Sequence, residues 1–302
     1  MKPSNNNCLI TNGGASKMMK TQQPPSDPGN NECLKWINRA LAKKVSGLRE
    51  EFQSLKRYCP KNMCIALFLA NQEAGKNRYR DVPCQTAFRV PVKWPGIESD
   101  YIHANYVSTP VNPKRFICAQ GPTETTCPTF WHMIINEGTE SIIMLSSIDV
   151  NDSSVKRHNL AVKWESCNPG ERSVNLTHWL DWPDRGVPST TNCVFDVLSI
   201  VRGSKKPIVV HCSAGIGRTG SIVAIEFILE KLFAGQSCES TDTILKELRN
   251  QRVYSVQNDL QYLFVHRMVL LYFLERNRST IPSQIKDVYS QFILDYNDAT
   301  SI

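Results

Sequence analysis

The sequence predicts a single α/β domain, and three observations predict it. Trp36, Ala40, Leu41, Val45, Leu48, Phe52 and Leu55 recur at helical spacing. Short apolar runs suited to strands follow between residues 82 and 146, among them Ser141-Ile142-Ile143-Met144-Leu145. Further on, Pro207-Ile208-Val209-Val210 leads through a glycine-bearing loop into a helical pattern, Ser221 to Phe233, which is a strand–loop–helix order.

Residues 1–31 are rich in Asn, Pro, Ser and Gly and poor in apolar side chains, so a disordered tail is expected there. It is left free for an unknown partner. The folded domain is expected over residues 32–276, with a polar, peripheral extension over 277–302. The helix opening at Trp36 leads toward Lys76-Asn77-Arg78-Tyr79-Arg80-Asp81. Residues 155–180 read as a strand pair and Ser189 to Val201 as a helix. Helices over 218–233, 241–251 and 257–275 follow. Leu263 to Leu274 is apolar, but His266 and Arg267 interrupt it, so it reads as a buried terminal helix and not a membrane span. Amphipathic stripes of this kind pack most often onto a central sheet.

Bulk properties narrow the function. The 302 residues suffice for one large domain or two small ones, and 41% are hydrophobic, ordinary for a globular protein. A net charge of +7 suits an acidic ligand. There is no nucleic-acid motif and no sustained basic run, which argues against a nucleic-acid partner. The eleven cysteines show no C-x-x-C or other metal-ligand spacing and read as free thiols of a reducing compartment. The Asn-rich start lacks an apolar signal core, so a cytoplasmic or nuclear protein is expected.

The chemistry concentrates in His211-Cys212-Ser213-Ala214-Gly215-Ile216-Gly217-Arg218-Thr219-Gly220. A Cys at a strand end stands five residues before an Arg that opens a helix. Backbone N–H groups from Ser213 to Arg218 can turn inward as an anion nest, and the helix N-terminus adds partial positive charge. The planar fork of Arg218 can hold two oxygens of a tetrahedral anion. The same field favours a thiolate nucleophile at Cys212. Taken alone, a C-x5-R pair reads better as a buried Cys beside a helix-capping Arg; the coincidence with His211, Thr219 and defined glycines favours the nucleophile.

This stretch resembles the phosphate-binding loop of the cysteine-dependent phosphatases. That resemblance implies that His211 constrains and polarises the Cys and that Thr219 donates to the sulfur. Three further segments resemble the tyrosine-specific, non-receptor-type protein tyrosine phosphatases. Trp182-Pro183-Asp184-Arg185-Gly186-Val187-Pro188 is similar to their mobile acid loop, with Asp184 as general acid and then base; alone it also reads as a surface turn. Lys76 to Asp81 resembles their phosphotyrosine-recognition loop, which implies that Tyr79 stacks on the substrate ring and Asp81 holds the peptide backbone. Gln257-Asn258-Asp259-Leu260-Gln261-Tyr262 resembles their glutamine loop, with Gln257 positioning the hydrolytic water and Gln261 supporting it. Asp100 to Val107 and Phe116 to Pro122 also match and read as architectural.

The resemblance runs from about Trp36 to Leu274. It implies a twisted mixed central sheet flanked by helices on both sides, phosphotyrosyl proteins as partners, and no metal or cofactor. It disfavours the compact dual-specificity branch, which lacks the Asn-Arg-Tyr and Trp-Pro-Asp strings. Two departures stand out. Only 36 residues separate Leu145 from Trp182, without the Tyr-Trp-Pro string usual there. The segment near Asp149 to Ser154 therefore lacks the usual Glu that braces the catalytic Arg, with Asp149 or Asp152 as possible replacements. Arg185 stands where an apolar residue usually follows the acid. Together these leave an active phosphatase as the leading reading and a catalytically impaired phosphotyrosine-binding module as the alternative.

Overall fold

The computed structural model describes residues 28–146, 155–166, 168–238, 240–276 and 281–301. In chain order the elements are α1 (Pro28–Leu55), α2 (Ala66–Ala70), β1 (Ala104–Val107), β2 (Phe116–Gln120), α3 (Cys127–Asn136), β3 (Ser141–Leu145), β4 (Val155–Trp164), β5 (Gly170–Trp179), α4 (Cys193–Val201), β6 (Ile208–Cys212), α5 (Arg218–Phe233), α6 (Thr241–Gln251), α7 (Asp259–Arg276) and α8 (Ser283–Thr300).

The six strands form one mixed sheet in the order β1-β2-β6-β3-β5-β4. The four inner strands run parallel, and β1 and β4 close the edges antiparallel. Parallel strands must be covered on both faces, which explains why β2, β3 and β6 read as nearly unbroken apolar runs. Strand alternation sorts those runs. Phe116, Cys118, Ile143, Leu145, Ile208, Val210 and Cys212 join the large core beneath α1, α4, α5, α6, α7 and α8. Ile117, Ala119, Ile142 and Val209 join a smaller core with Phe130, Met133 and Ile134 of α3. Helices therefore cover both faces, as the resemblance implied. The same period of two sends Cys212 to the α5 face and the ring of its neighbour His211 against Phe130 on the α3 face, centroids 5.6 Å apart.

α5 is buried nearly all round, the pattern of a central helix. Its two inward carboxylates are matched: Glu226 accepts a two-pronged bond from Arg202 (2.8 and 2.7 Å), and Glu230 accepts from Arg115 (3.2 Å).

Several expectations shift in detail. α1 begins at Pro28, inside the stretch assigned to the tail, and kinks at Lys44, where φ is 56°. α4 starts at Cys193 and not Ser189, and α7 at Asp259 and not Gln257. α3 lies within a region where only strands were expected. Past residue 280 the chain is helical, and α8 seats Phe292 and Tyr296 in the large core. Asp149 and Asp152 lie outside the described residues. Among the described residues no helix is long and apolar enough to cross a membrane.

Candidate active site

β6 ends at Cys212 and α5 begins at Arg218, so residues 213–217 form the loop between them. Gly215 is required there by geometry. Its φ is +69°, and a Cβ would lie 2.1 Å from the Ala119 carbonyl oxygen. With the loop folded this tightly, the Gly215 N–H donates to the Cys212 Sγ at 3.2 Å.

The carbonyls of the loop face the other way, onto Arg252. This fully buried guanidinium donates from Nε to Gly215 O (3.0 Å) and from Nη2 to Ala214 O (3.1 Å). Its Nη1 reaches Asn105 Oδ1 (2.9 Å) and its Nη2 reaches His103 Nδ1 (3.1 Å). Burial, and then the Arg252 charge, push the His103 pKa down to about 3. The ring is therefore neutral, with Nδ1 accepting and Nε2–H donating to Val82 O at 2.8 Å. Carbonyls pinned outward leave the amides for the interior of the loop. Nothing in the local sequence singled out Arg252, whose partners lie 37 to 149 residues away.

Arg218, at the first turn of α5, is buried, its side chain 4% exposed. Its Nη1 donates to Trp182 O (3.0 Å) and its Nη2 to Asp184 Oδ1 (3.1 Å). The acid loop thus braces the arginine directly. Trp182 is buried between Trp179 and Phe264, and its indole N–H holds Gly186 O at 3.1 Å across the loop. Asp181 accepts from the Trp179 indole and from Thr190 Oγ1 (3.2 Å). Asp184, its side chain 66% exposed, carries no such tie to its own loop and points at Arg218.

The glutamine loop forms an adjoining rim. A Cβ on Gly217 would lie 3.0 Å from Gln257 Oε1 and 2.9 Å from Gln261 Nε2, so both amides stand directly over the phosphate-type loop. Gln261 Oε1 accepts from the Gln257 backbone N–H (2.9 Å). Asn258 ties this rim to the acid loop: its Oδ1 accepts from Gln261 N (2.9 Å), while its Nδ2 donates to Arg185 O. Arg185 itself sits at φ 56°, in the left-handed region.

The recognition segment is anchored by β2 and the turn after it. Gln120 accepts from Arg78 N (2.9 Å) and donates to Lys76 O (2.9 Å). Arg78 donates to Gly121 O (3.1 Å) and Pro122 O (2.9 Å). Tyr79, 39% exposed, and Asp81 are thereby presented at the surface. The strings around His103, Asn105 and Gln120 are the scaffolding for the two loops, in keeping with an architectural reading.

Two side chains stand apart from their expected contacts. Thr219 Oγ1 is buried without a hydrogen-bond partner, and the sulfur is held by the Gly215 amide. His211 Nδ1 is likewise buried and unpartnered, and burial pushes this ring's pKa down to about 4, so it is neutral. Cys212 is a free thiol. Among the described residues no group of His, Cys, Asp or Glu is placed to hold a metal ion.

A thiol at a strand end, an amide on its sulfur, and an arginine at the start of the next helix paired with an acid are features of the cysteine-dependent phosphatase class. The particular family follows from comparison. The protein-tyrosine phosphatase family model matches residues 73–158 and 148–271. Human receptor-type tyrosine-protein phosphatase zeta is 30% identical over 295 residues, covering 80% of this chain and 13% of that protein. Tyrosine-protein phosphatase 69D of Drosophila melanogaster is 32% identical over 243 residues (66% and 16%). Mouse tyrosine-protein phosphatase non-receptor type 4 is 30% identical over 258 residues (73% and 27%). The chain belongs to the protein-tyrosine phosphatase family and spans a minor part of these relatives' lengths.

Proposed function

We propose that this chain hydrolyses phosphotyrosine in proteins through a phosphocysteine intermediate. The observation that carries the reading is a set of contacts around residues 212–218: the Gly215 amide on the Cys212 sulfur, Asp184 on Arg218, and Gln257 close to Gly217. An incoming phosphate takes the place of Asp184 on Arg218 and meets the loop amides, which are already oriented because Arg252 holds their carbonyls. Such preorganised donors act on the charge of the transferring group without reorganisation at the moment of reaction.

The Cys212 thiolate attacks phosphorus in line, an S–P bond forms, and the bond to the tyrosine oxygen breaks. Asp184, released from the guanidinium and protonated from solvent, gives that oxygen its proton. In the second step a water placed by Gln257 attacks phosphorus, Asp184 takes the proton, and the S–P bond breaks to return the thiolate and inorganic phosphate. Tyr79 and Asp81, displayed beside the opening, supply the aromatic wall and the backbone anchor for a phosphotyrosyl peptide. The setting is a reducing one, cytoplasm or nucleus, where a thiolate survives.

The test is hydrolysis of p-nitrophenyl phosphate and of a phosphotyrosyl peptide by the full chain, with Cys212→Ser beside it. Turnover abolished by Cys212→Ser is the expected result. Folded protein that binds the phosphopeptide without turnover would replace the enzyme reading with a binding module.

A further inference from the structure

On the α3 face of the sheet, opposite the Cys212 side chain, lies a cavity of about 360 Å³. Met144 of β3, Leu176 of β5 and Leu160 of β4 line it, together with Phe130 and Trp131 of α3. Its end wall is the run His211–Ser213, where strand β6 passes into the phosphate-type loop. The His211 ring stands edge-on to Phe130 there.

The size and chemistry of the walls select the occupant. About 300–1,000 Å³ is the range of small-molecule sites, whereas a protein partner needs roughly 800 Å² of surface on each side. The walls are mostly apolar. Among the described lining residues Arg78 carries the one positive charge, and its Nε and Nη2 are committed to Gly121 O and Pro122 O. His211 is neutral. An anion would lose its hydration and gain no free counter-charge. A flat apolar molecule, by contrast, meets Phe130 and Trp131 on one side and Met144 and Leu176 on the other.

We propose that this rear cavity binds a small neutral aromatic molecule, and that the phosphate-type loop senses its occupancy through His211–Ser213. The loop is the responsive part because its geometry is tight. A shift of the His211 peptide carries Cys212 with it and so alters the contact between the Cys212 sulfur and the Gly215 N–H, 3.2 Å in this structure. The binding half stands by itself; the sensing half rests on the phosphatase reading.

The probe is N-phenyl-1-naphthylamine, which is neutral, fluoresces in apolar surroundings and has no group for an anion cradle. With the full chain, saturable binding is expected, with Kd on the order of 100 μM from typical affinity per atom. Leu176→Trp and Met144→Trp fill the cavity and should weaken it at least tenfold. Leu176→Phe, a smaller change, covers the case in which a Trp variant fails to fold by circular dichroism. Orthovanadate, aimed at the anion loop, should weaken the probe several-fold without competing it away, since coupling between two sites is reciprocal. In the turnover assay the probe should lower kcat for p-nitrophenyl phosphate several-fold and leave KM in place. Absent binding, binding that the filled variants retain, or full competitive displacement by orthovanadate would overturn the site. Binding with unchanged kcat would overturn the sensing half. Binding to a protein that shows no turnover without probe would leave the site standing and count against the phosphatase reading.

Discussion

Arg252→Met removes a fork that no other residue replaces. The wild-type guanidinium satisfies Gly215 O, Ala214 O, Asn105 Oδ1 and His103 Nδ1 at 2.9–3.1 Å, with no exposure to solvent. Methionine keeps an unbranched apolar stem but leaves three acceptors without a donor, Asn105 Oδ1 retaining the Cys84 thiol at 3.6 Å. Each orphaned group costs about 1–3 kcal/mol when isolated. These three share one donor and relax together, so the total should fall near the ~3–5 kcal/mol typical of breaking a buried charged network. Against a usual stability of about 5–15 kcal/mol the variant still folds. The second effect is on the loop. Once the Ala214 and Gly215 carbonyls are free to turn, the amide on the Cys212 sulfur turns with them, and anion affinity falls. A misplaced oxyanion donor costs about 10²–10³ in rate. Urea unfolding gives the first quantity; orthovanadate affinity and p-nitrophenyl phosphate turnover give the second. Arg252→Lys, which keeps the charge and loses the fork, should fall between. A loss under about 1 kcal/mol with unchanged orthovanadate affinity would refute the idea that Arg252 sets the loop.

Four more outcomes are expected. His103, His211 and His266 are held neutral by burial, with pKa values of about 3, 4 and 4. Below the ordinary histidine value near ~6.5 the unfolded chain binds protons that the native state refuses. Stability should therefore be full above about pH 6.5 and fall toward pH 4, by up to ~1.4 kcal/mol per pH unit for each ring. Urea midpoints across that range check it, and His266→Gln should flatten the slope by about a third. Gly215→Ala drives a Cβ to 2.1 Å from Ala119 O, so orthovanadate binding and turnover should drop by at least ~10² while the rest of the domain stays folded. Asp184→Asn should lower kcat on a phosphotyrosyl peptide by ~10²–10⁴, and less on p-nitrophenyl phosphate, whose leaving group needs less protonation; equal losses on both would place the acid elsewhere. Asn258→Ala cuts the tie between Arg185 O and Gln261 N. It should lower kcat about tenfold with KM steady, as measured by steady-state kinetics.

How far the sequence carried differs from part to part, and the reasons are physical. The β6–loop–α5 unit was legible because its spacing is local: the Cys, the glycines and the Arg lie within seven residues. α1 was legible from period, across a kink that period does not record. α8 had a readable signal, since Ile285, Tyr289, Phe292 and Tyr296 recur at helical spacing, but the surrounding polar residues read as a peripheral tail. α3 is ten residues long and opens Cys-Pro, too short for its period to stand out between strands. Arg252 could not be found locally, because the four acceptors of its guanidinium described above come from β1, the segment before it, and the loop at 214–215. The direct brace on Arg218 was also out of reach. An acidic substitute near residue 150 was the natural expectation, and the structure puts Trp182 O and Asp184 in contact with the guanidinium. The shortened stretch after Leu145 was visible as a length, whereas the rear cavity needed coordinates.

The most direct test of the central claim is chemical. The full chain, mixed with a phosphotyrosyl peptide and quenched in acid within milliseconds, is digested and the peptide containing Cys212 is weighed by mass spectrometry. A phosphate adduct on Cys212 is expected, accumulating further in Gln257→Ala, where the water is no longer placed, and missing in Cys212→Ser. Turnover with no adduct on Cys212 in either protein, or an adduct on another residue, would contradict it.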